Sequence, residues 1–413
     1  MLLRVSTEPD GWPDPMAARP AGATVHGMTS TVHPAPLRVL VAGGGVAGME
    51  AILALDELAG ARVQITLLAP ESTFAYRPMA VAVPFARGRV QRLELAAFAR
   101  ETGTLLVRGS LDSVEPGLAR TSAGAVLPYD ALLVAVGAWS EPAVRGATTW
   151  TQQLDQEVMG GLLSDIEQGY TKRVAFVVPE GATWPLPAYE LALMTAWDAR
   201  DMGQDDVEIT IHTPEEAPMA IFGEHASESL QHDLDEAGVT VHTGWTARDD
   251  LSGRRAIALP RAAARPVAGL PRDERGFVPV DAHGRVKGLY GVWAAGDCIA
   301  FPIKQGGLAA QQADTAAESI AALAGAPLEP RPFRPVLRGV LLTGRGRRWI
   351  RRSLETAGDH GETQRRALWW PPTKVAGAHL APYLSMHAHG PLPGDERPAG
   401  RLVEFRVPVG GAS

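Results

Sequence analysis

Residues 38–55, RVLVAGGGVAGMEAILAL, decide the fold. The short apolar run Val39 to Ala42 reads as a buried parallel strand. A glycine turn follows, Gly43-x-Gly45-x-x-Gly48, and then helical apolar spacing through Met49, Ile52, Leu53 and Leu55. Gly43 allows a sharp turn, Gly45 lets backbone approach a pyrophosphate, and Gly48 lets the helix pack close to the strand. With Val46 and Ala47 between them, they open a helix whose unpaired N–H groups and positive dipole end face phosphates. The glycines alone are a weak signal; the strand before and the helix after make them a dinucleotide-binding turn.

Residues 62–69, RVQITLLA, read as the next strand. In such units an acid about 20 positions past the glycines takes ribose hydroxyls. Here the nearest carboxylate is Glu71, which stands equally as a displaced ribose ligand or a solvated loop acid. Residues 74–84 read as a loop over a ligand, with Arg77 facing a phosphate or solvent. A helix is predicted over 93–99, strands over 104–108 and 111–115, and a hairpin near 122–124. YDALLVAVGA at 129–138 is a strand over 132–136 that stops at Gly137, where backbone approaches a nucleotide with no side chain in the way.

A connection over 141–172, with a helix at 156–168, leads to a second strand–turn–helix unit. Its strand is 173–178, its helix 188–199, and a strand (207–212), a helix (224–237) and a strand (239–242) follow. The alternation is βαβ, so the chain carries a second nucleotide-type domain. Its turn, PEGATWPLP at 179–187, keeps only Gly181. The prolines remove N–H donors that would hold a pyrophosphate. The next strand ends in His212-Thr213-Pro214, with Glu215 beyond it. Strands are predicted at 276–280 and 289–297, the latter ending in Gly296-Asp297, and a small-residue helix from 307 to 323. Residues 336–343 and 347–352 form a predicted hairpin.

At 413 residues the chain holds two or three domains. With 46% hydrophobic and 21% charged residues it is of the soluble globular class. A net charge of −7 argues against nucleic acid as partner. No apolar run approaches the ~20 residues of a membrane span, and the expected location is cytoplasmic. No secretory h-region precedes the first strand; residues 1–36, proline-rich, read as a disordered leader, with Met28 an alternative start. One cysteine, Cys298, allows no internal disulfide. The eleven histidines lack metal spacing, and His387 and His389 read as solvent-facing; no metal is expected.

GGGVAG at 43–48, YDALLVAVGA at 129–138 and LYGVWAAGDC at 289–298 resemble the three FAD-contact motifs of the two-dinucleotide-binding-domain flavoproteins, the pyridine nucleotide-disulfide oxidoreductase-like group. Within it, PIKQGGLAAQQAD at 302–314 is similar to sulfide:quinone oxidoreductases, the flavin subunit of flavocytochrome c sulfide dehydrogenases and type II NADH:quinone dehydrogenases. The resemblance implies an α/β fold with two Rossmann-like domains and a C-terminal α+β region. It implies a discontinuous FAD-binding domain (37–150 and 270–330), a second, degenerate NAD(P)-type domain (151–269) and an interface region (331–413). Asp297, after Gly296, would hydrogen-bond the flavin ribityl chain. The helix beginning at Gly307 would aim its N-terminus at the flavin ring, with Lys304, Gln311 and Gln312 nearby. Glu190 is a polar candidate at the flavin face, or a helix-surface acid.

Two departures from the group shape the functional expectation. Sulfide oxidisers use a cysteine pair, and this chain has one cysteine, so sulfide oxidation by that route and disulfide reduction are disfavoured. The second turn lacks its glycines, which leaves NAD(P)H as donor open. The expected activity is FAD-dependent oxidoreduction, with electrons passing to a quinone or similar small acceptor. The alternatives are an NAD(P)H-dependent reductase of an electron-carrier protein and a redox-inactive flavoprotein scaffold. The tryptophan- and arginine-rich C-terminal part, including Trp349, Ile350, Leu380 and Leu384, reads as a peripheral membrane face, a homodimer interface or a lid over the FAD domain.

Overall fold

The computed structural model describes residues 35–151, 155–246, 251–355 and 361–387. Residues 1–34 of the expected leader, and His389, lie outside these residues. The first part of the chain runs β1 (Leu37–Ala42), α1 (Val46–Ala59), β2 (Val63–Ala69), β3 (Thr73–Tyr76), β4 (Gln91–Glu94), α2 (Leu95–Glu101), β5 (Leu105–Arg108), β6 (Leu111–Glu115), β7 (Leu118–Thr121), β8 (Val126–Pro128) and β9 (Ala131–Val134). Next come β10 (Ala138–Glu141), β11 (Thr148–Thr149), α3 (Asp155–Glu167), β12 (Arg173–Val177), α4 (Leu186–Asp201), β13 (Glu208–His212), α5 (Glu224–Glu236), β14 (Val239–His242), β15 (Arg255–Ala258) and β16 (Arg261–Ala264). The last are β17 (Val292–Ala294), α6 (Gly306–Leu323), β18 (Val336–Leu342), β19 (Arg347–Ser353), β20 (Glu362–Gln364) and α7 (Leu380–Met386).

Two parallel sheets carry the architecture. The first has the order β17-β9-β1-β2-β5, so its connections diverge between β1 and β9. Ligands of open parallel sheets bind at such a switch point, beyond the carboxyl ends of the strands. The glycine turn lies there. Gly43 has φ +126°, and a Cβ on it would stand 2.1 Å from the Ala135 carbonyl oxygen. The helices α1 and α6 pack against each other through buried alanines, among them Ala47, Ala51, Ala309 and Ala313. Small side chains let the two backbones approach and bring both helix N-termini to the same edge.

The second sheet, β11-β15-β12-β13-β14, is also parallel. The molecule is thus α/β with two Rossmann-like domains and a C-terminal three-stranded antiparallel sheet, β18-β19-β20. A two-stranded antiparallel ribbon of β10 and β16 pairs Ala138 with Ala264 and Glu141 with Arg261. It lies where the chain enters and leaves the second sheet, and sequence reading did not find it.

Several local expectations are corrected. Residues 276–280 form only isolated bridges, Val278 to Ile299 and Val280 to Val286. Pro279 has no N–H to give a ladder. The strand expected over 289–297 shrinks to β17, bracketed by Gly291 and Gly296, both at positive φ (+70° and +82°). The loop expected at 74–84 is strand β3, paired with β4, followed by the 3-10 segment Arg77–Ala82.

In the C-terminal part, Trp349, Ile350, Leu380 and Leu384 are buried. These residues of the expected interface face the protein interior, and Trp370 is the tryptophan left largely exposed. Among the described residues, no helix is long and apolar enough to cross a membrane.

Candidate active site

The first part of the site is the cradle at the switch point. The α1 N-cap is Gly45, and no side chain caps the helix. A Cβ on Gly45 or on Gly137 would meet nothing within 4 Å, so the backbone here is open to a ligand. A Cβ on Gly48 would stand 1.9 Å from the Gly43 carbonyl oxygen, so a larger residue fits this close helix–turn contact only if the turn moves.

Asp297 follows β17 in a single 3-10 turn, Gly296–Cys298. The Gly296 N–H donates to Gln312 Oε1 at 2.9 Å, which fixes the turn to α6. Burial pushes the Asp297 carboxyl above its usual range, and Lys304 only partly offsets this. Among the described residues, no protein group hydrogen-bonds its carboxyl group. A half-buried carboxyl that faces the cavity without protein donors suits a polyhydroxyl ligand. The open glycine turn, the uncapped helix N-terminus and this aspartate together fit FAD. Gly43, Gly45, Val46, Ala47 and Gly48 would take the pyrophosphate, and Asp297 the ribityl chain.

Beyond Asp297 lies a cavity of about 170 Å³, bordered by Asp297, Lys304, Glu190, Lys374, Trp150 and Trp184. The Lys304 ammonium donates to the Ile299 carbonyl and sits 3.8 Å over the Phe277 ring. Burial lowers its pKa to about 8, with Asp297 opposing the shift. In the same cavity lining Lys374 Nζ lies 2.5 Å from Glu190 Oε1, and the two side chains are 8% and 1% exposed. Leu342 N–H also donates to Glu190, at 3.0 Å. Burial raises the Glu190 pKa and lowers that of Lys374, and the partners oppose both shifts. Their separation is that of a charge-assisted hydrogen bond.

The structure brings Asp297, Lys304 and Glu190 to one cavity, with Arg77 at its rim. Glu190 is a buried cavity acid rather than a helix-surface one. Gln311 is turned elsewhere: its amide donates to Gly307 and Val336 carbonyls and accepts from Val336 N–H, tying α6 to β18. Gln312 holds the Asp297 turn. Gly307 lies in the first turn of α6, which Gln305 caps by accepting from Leu308 N–H at 2.9 Å. Glu71 is exposed just past β2. His387 is half-buried and stacks on Tyr383, with ring centroids 4.1 Å apart, rather than facing solvent. Cys298 is buried, its thiol directed at the Val134 and Ala295 carbonyls and pushed up to about 11 by burial.

Sequence reasoning missed Lys374, Tyr76 and Gln305 as site residues. Lys374 arrives from residues 368–375, a segment with no helical or strand period, so no spacing pointed to the cavity. Its position is held by Tyr76, whose buried hydroxyl accepts from Val375 N–H at 2.8 Å.

The second domain's turn lies beside a larger, open cavity of about 670 Å³, bordered by Gly181, Thr183, Arg261, Arg275, Trp139 and Glu141. Glu215, the acid following β13, is engaged within the protein. Tyr189 hydroxyl donates to it at 2.7 Å and Thr213 hydroxyl at 2.9 Å.

A search of curated proteins finds no match. Among solved structures, the fold is similar to the sulfide:quinone oxidoreductase of the hyperthermophilic bacterium Aquifex aeolicus. That match has a TM-score of 0.69 and 17% identity, over 79% of this chain and 86% of that one. A ferredoxin reductase from Rhodopseudomonas palustris gives 0.56 and 17%, over 76% and 82%. An NAD-dependent persulfide reductase from A. fulgidus gives 0.53 and 17%, over 76% of this chain and 64% of that one. The family model of the pyridine nucleotide-disulphide oxidoreductases matches residues 37–253, just over half of the chain. With the open glycine turn, the placement of Asp297 and this match in agreement, the chain belongs to the pyridine nucleotide-disulphide oxidoreductase family and is an FAD-dependent flavoprotein oxidoreductase.

Proposed function

We propose that the protein passes electrons from its flavin to a quinone or similar small acceptor bound at the cavity between Asp297 and the Glu190–Lys374 pair. The observation that carries this reading is that pair: a buried carboxylate and a buried ammonium 2.5 Å apart in the cavity that Asp297 and Lys304 also line. Bound FAD supplies two-electron transfer. Reduction of a quinone to a quinol also consumes two protons. The Lys374 ammonium can give one proton from Nζ and regain it from solvent, which also supplies the second, while the Glu190 carboxylate favours the charged, protonated form of Lys374. Trp150 and Trp184 give the same cavity aromatic walls for a planar ring. The likeness to a sulfide:quinone oxidoreductase agrees with this acceptor class.

The donor is separate from a dithiol cycle, because Cys298 is buried and has no cysteine partner in the chain. NAD(P)H is disfavoured as donor. Pro185 and Pro187 stand at the α4 N-terminus, and Glu215 is already engaged by Tyr189 and Thr213. Peripheral membrane contact, which would give access to a lipid-soluble quinone, falls in this reading to exposed residues such as Trp370 and Met386. The alternative, reduction of an electron-carrier protein, is favoured by the arginines at the larger cavity and by the ferredoxin reductase likeness.

The test is anaerobic reduction by dithionite, followed by rapid mixing with a water-soluble quinone or with oxygen while flavin absorbance is followed. Reoxidation far faster by quinone supports the reading, and equal rates contradict it. Titration with NADH and NADPH beforehand is expected to leave the flavin oxidised.

A further inference from the structure

Lys374 reaches the cavity on the segment 373–387, and this segment is fastened some way from the cavity by a group of carboxyls. Glu50 is fully buried in α1. Its carboxylate accepts from His379 and Leu380 N–H, both at 2.8 Å, and so holds the first turn of α7. Gly377 lies so close that a Cβ there would stand 2.2 Å from Glu50 Oε2. Asp314 on α6 is the second carboxyl: an oxygen of each carboxyl and a His379 ring nitrogen lie within 4.8 Å of one another, and Asp314 Oδ1 is buried with no hydrogen-bond partner among the described residues. Two carboxyls this close and sheltered from water repel each other unless one of them carries a proton.

We propose that Glu50 and Asp314 form a proton-sharing carboxyl pair that docks the C-terminal segment, so that loss of this proton undocks Lys374 from the cavity. The proposal rests on the acceptor-site reading for the role of Lys374; the docking itself does not.

The charged groups around the pair come from each packed element. From α1, Glu57 meets His379 Nδ1 at 3.2 Å, and His379 Nε2 lies 3.8 Å from Asp314 Oδ1. From α6, Glu318 adds negative charge and is itself paired with Arg331, while His283 faces Glu318. Burial is the main cause that raises Asp314 far above the carboxylate range. Glu50 and Glu318 raise it further, and Arg331 opposes them. Release of the segment admits water to Asp314 and removes most of that cause. The docked state therefore keeps a proton that the released state gives up near neutral pH. By linkage, docking is strongest in acid and weakens as pH rises, by up to about tenfold per pH unit, until Asp314 ionises in place.

The experiment is hydrogen exchange of the oxidised holoenzyme from about pH 6 to about pH 9, without donor or acceptor, corrected for intrinsic chemical rates. The peptide covering 375–387 is followed against the buried helix Leu186–Asp201 as reference. Its protection is expected to fall with pH, approaching tenfold per unit, while the reference stays flat. Asp314→Asn, whose amide donates to Glu50 at every pH, is expected to abolish the dependence and to retain flavin. Flat protection in the wild type, or an Asp314→Asn profile that tracks it, overturns the proposal. Protection restored at high pH by calcium or manganese chloride also overturns it, because the pair would then hold a cation. A confirmed pH dependence in a protein that fails to reduce quinone would leave the docking standing and remove only the acceptor reading.

Discussion

At the residue scale, the cavity joins two lysines in different electrostatic states. Lys304 is held among carbonyl, ring and Asp297, and burial brings its pKa down to about 8. Its charge is thus present below that pH and lost above it. A step that uses the Lys304 cation should decline above about pH 8. Lys304→Met should remove that limb of the rate profile, and Lys304→Arg should move it beyond the measured range, because a guanidinium stays charged. The stability effect has its own sign. Between about pH 8 and the ordinary lysine value of 10.5 the unfolded chain binds more protons at this residue, so its contribution to stability rises with pH across that window. Gly-Asp at the end of an apolar run made Asp297 legible in the sequence. Glu190 was named, but its burial was not legible. Lys374 was legible only as one of the basic residues of the C-terminal region, because only chain folding brings residue 374 to residue 190.

At the element scale, the strand–glycine–helix unit was legible because each local preference agrees with the fold. The expected strand and helix appear as β1 and α1, shifted by a few residues. What failed was short pairing that depends on distant chain: the β10–β16 ribbon joins residues about 120 positions apart. The tight unit also gives a test. Gly48→Ala places a Cβ where 1.9 Å separates it from the Gly43 carbonyl oxygen. Alanine favours helix over glycine by about 1 kcal/mol, but the turn must move to relieve the clash, and the turn is where the FAD pyrophosphate would sit. The variant is therefore expected to fold with FAD affinity lowered by at least about tenfold, or ~1.4 kcal/mol. Purification with an unchanged flavin-to-protein absorbance ratio, and no flavin release on dilution, would contradict this.

At the scale of the whole molecule, the C-terminal sheet is joined to the second domain by a buried ion pair. Arg348 makes a two-pronged contact with Asp233 at 2.5 and 2.6 Å, and the side chains are 9% and 5% exposed. Arg365 adds a third contact at 3.3 Å. Asp233→Ala leaves a buried guanidinium without its carboxylate, and the expected cost is about 3–5 kcal/mol, read as a lower denaturant midpoint. A change under about 1 kcal/mol would show that water reaches Arg348 in the native state. The same assembly of parts builds the cavity. Asp297 and Lys304 come from the flavin domain, Glu190 from the second domain, and Lys374 from the C-terminal segment. The most direct test of the acceptor site is the rate at which a water-soluble quinone reoxidises dithionite-reduced Lys374→Met, compared with wild type at equal flavin content. Slowing by roughly a hundredfold, the scale of a lost proton donor, with reoxidation by oxygen unchanged, is the predicted result. An unchanged quinone rate would contradict the account and place the acceptor elsewhere.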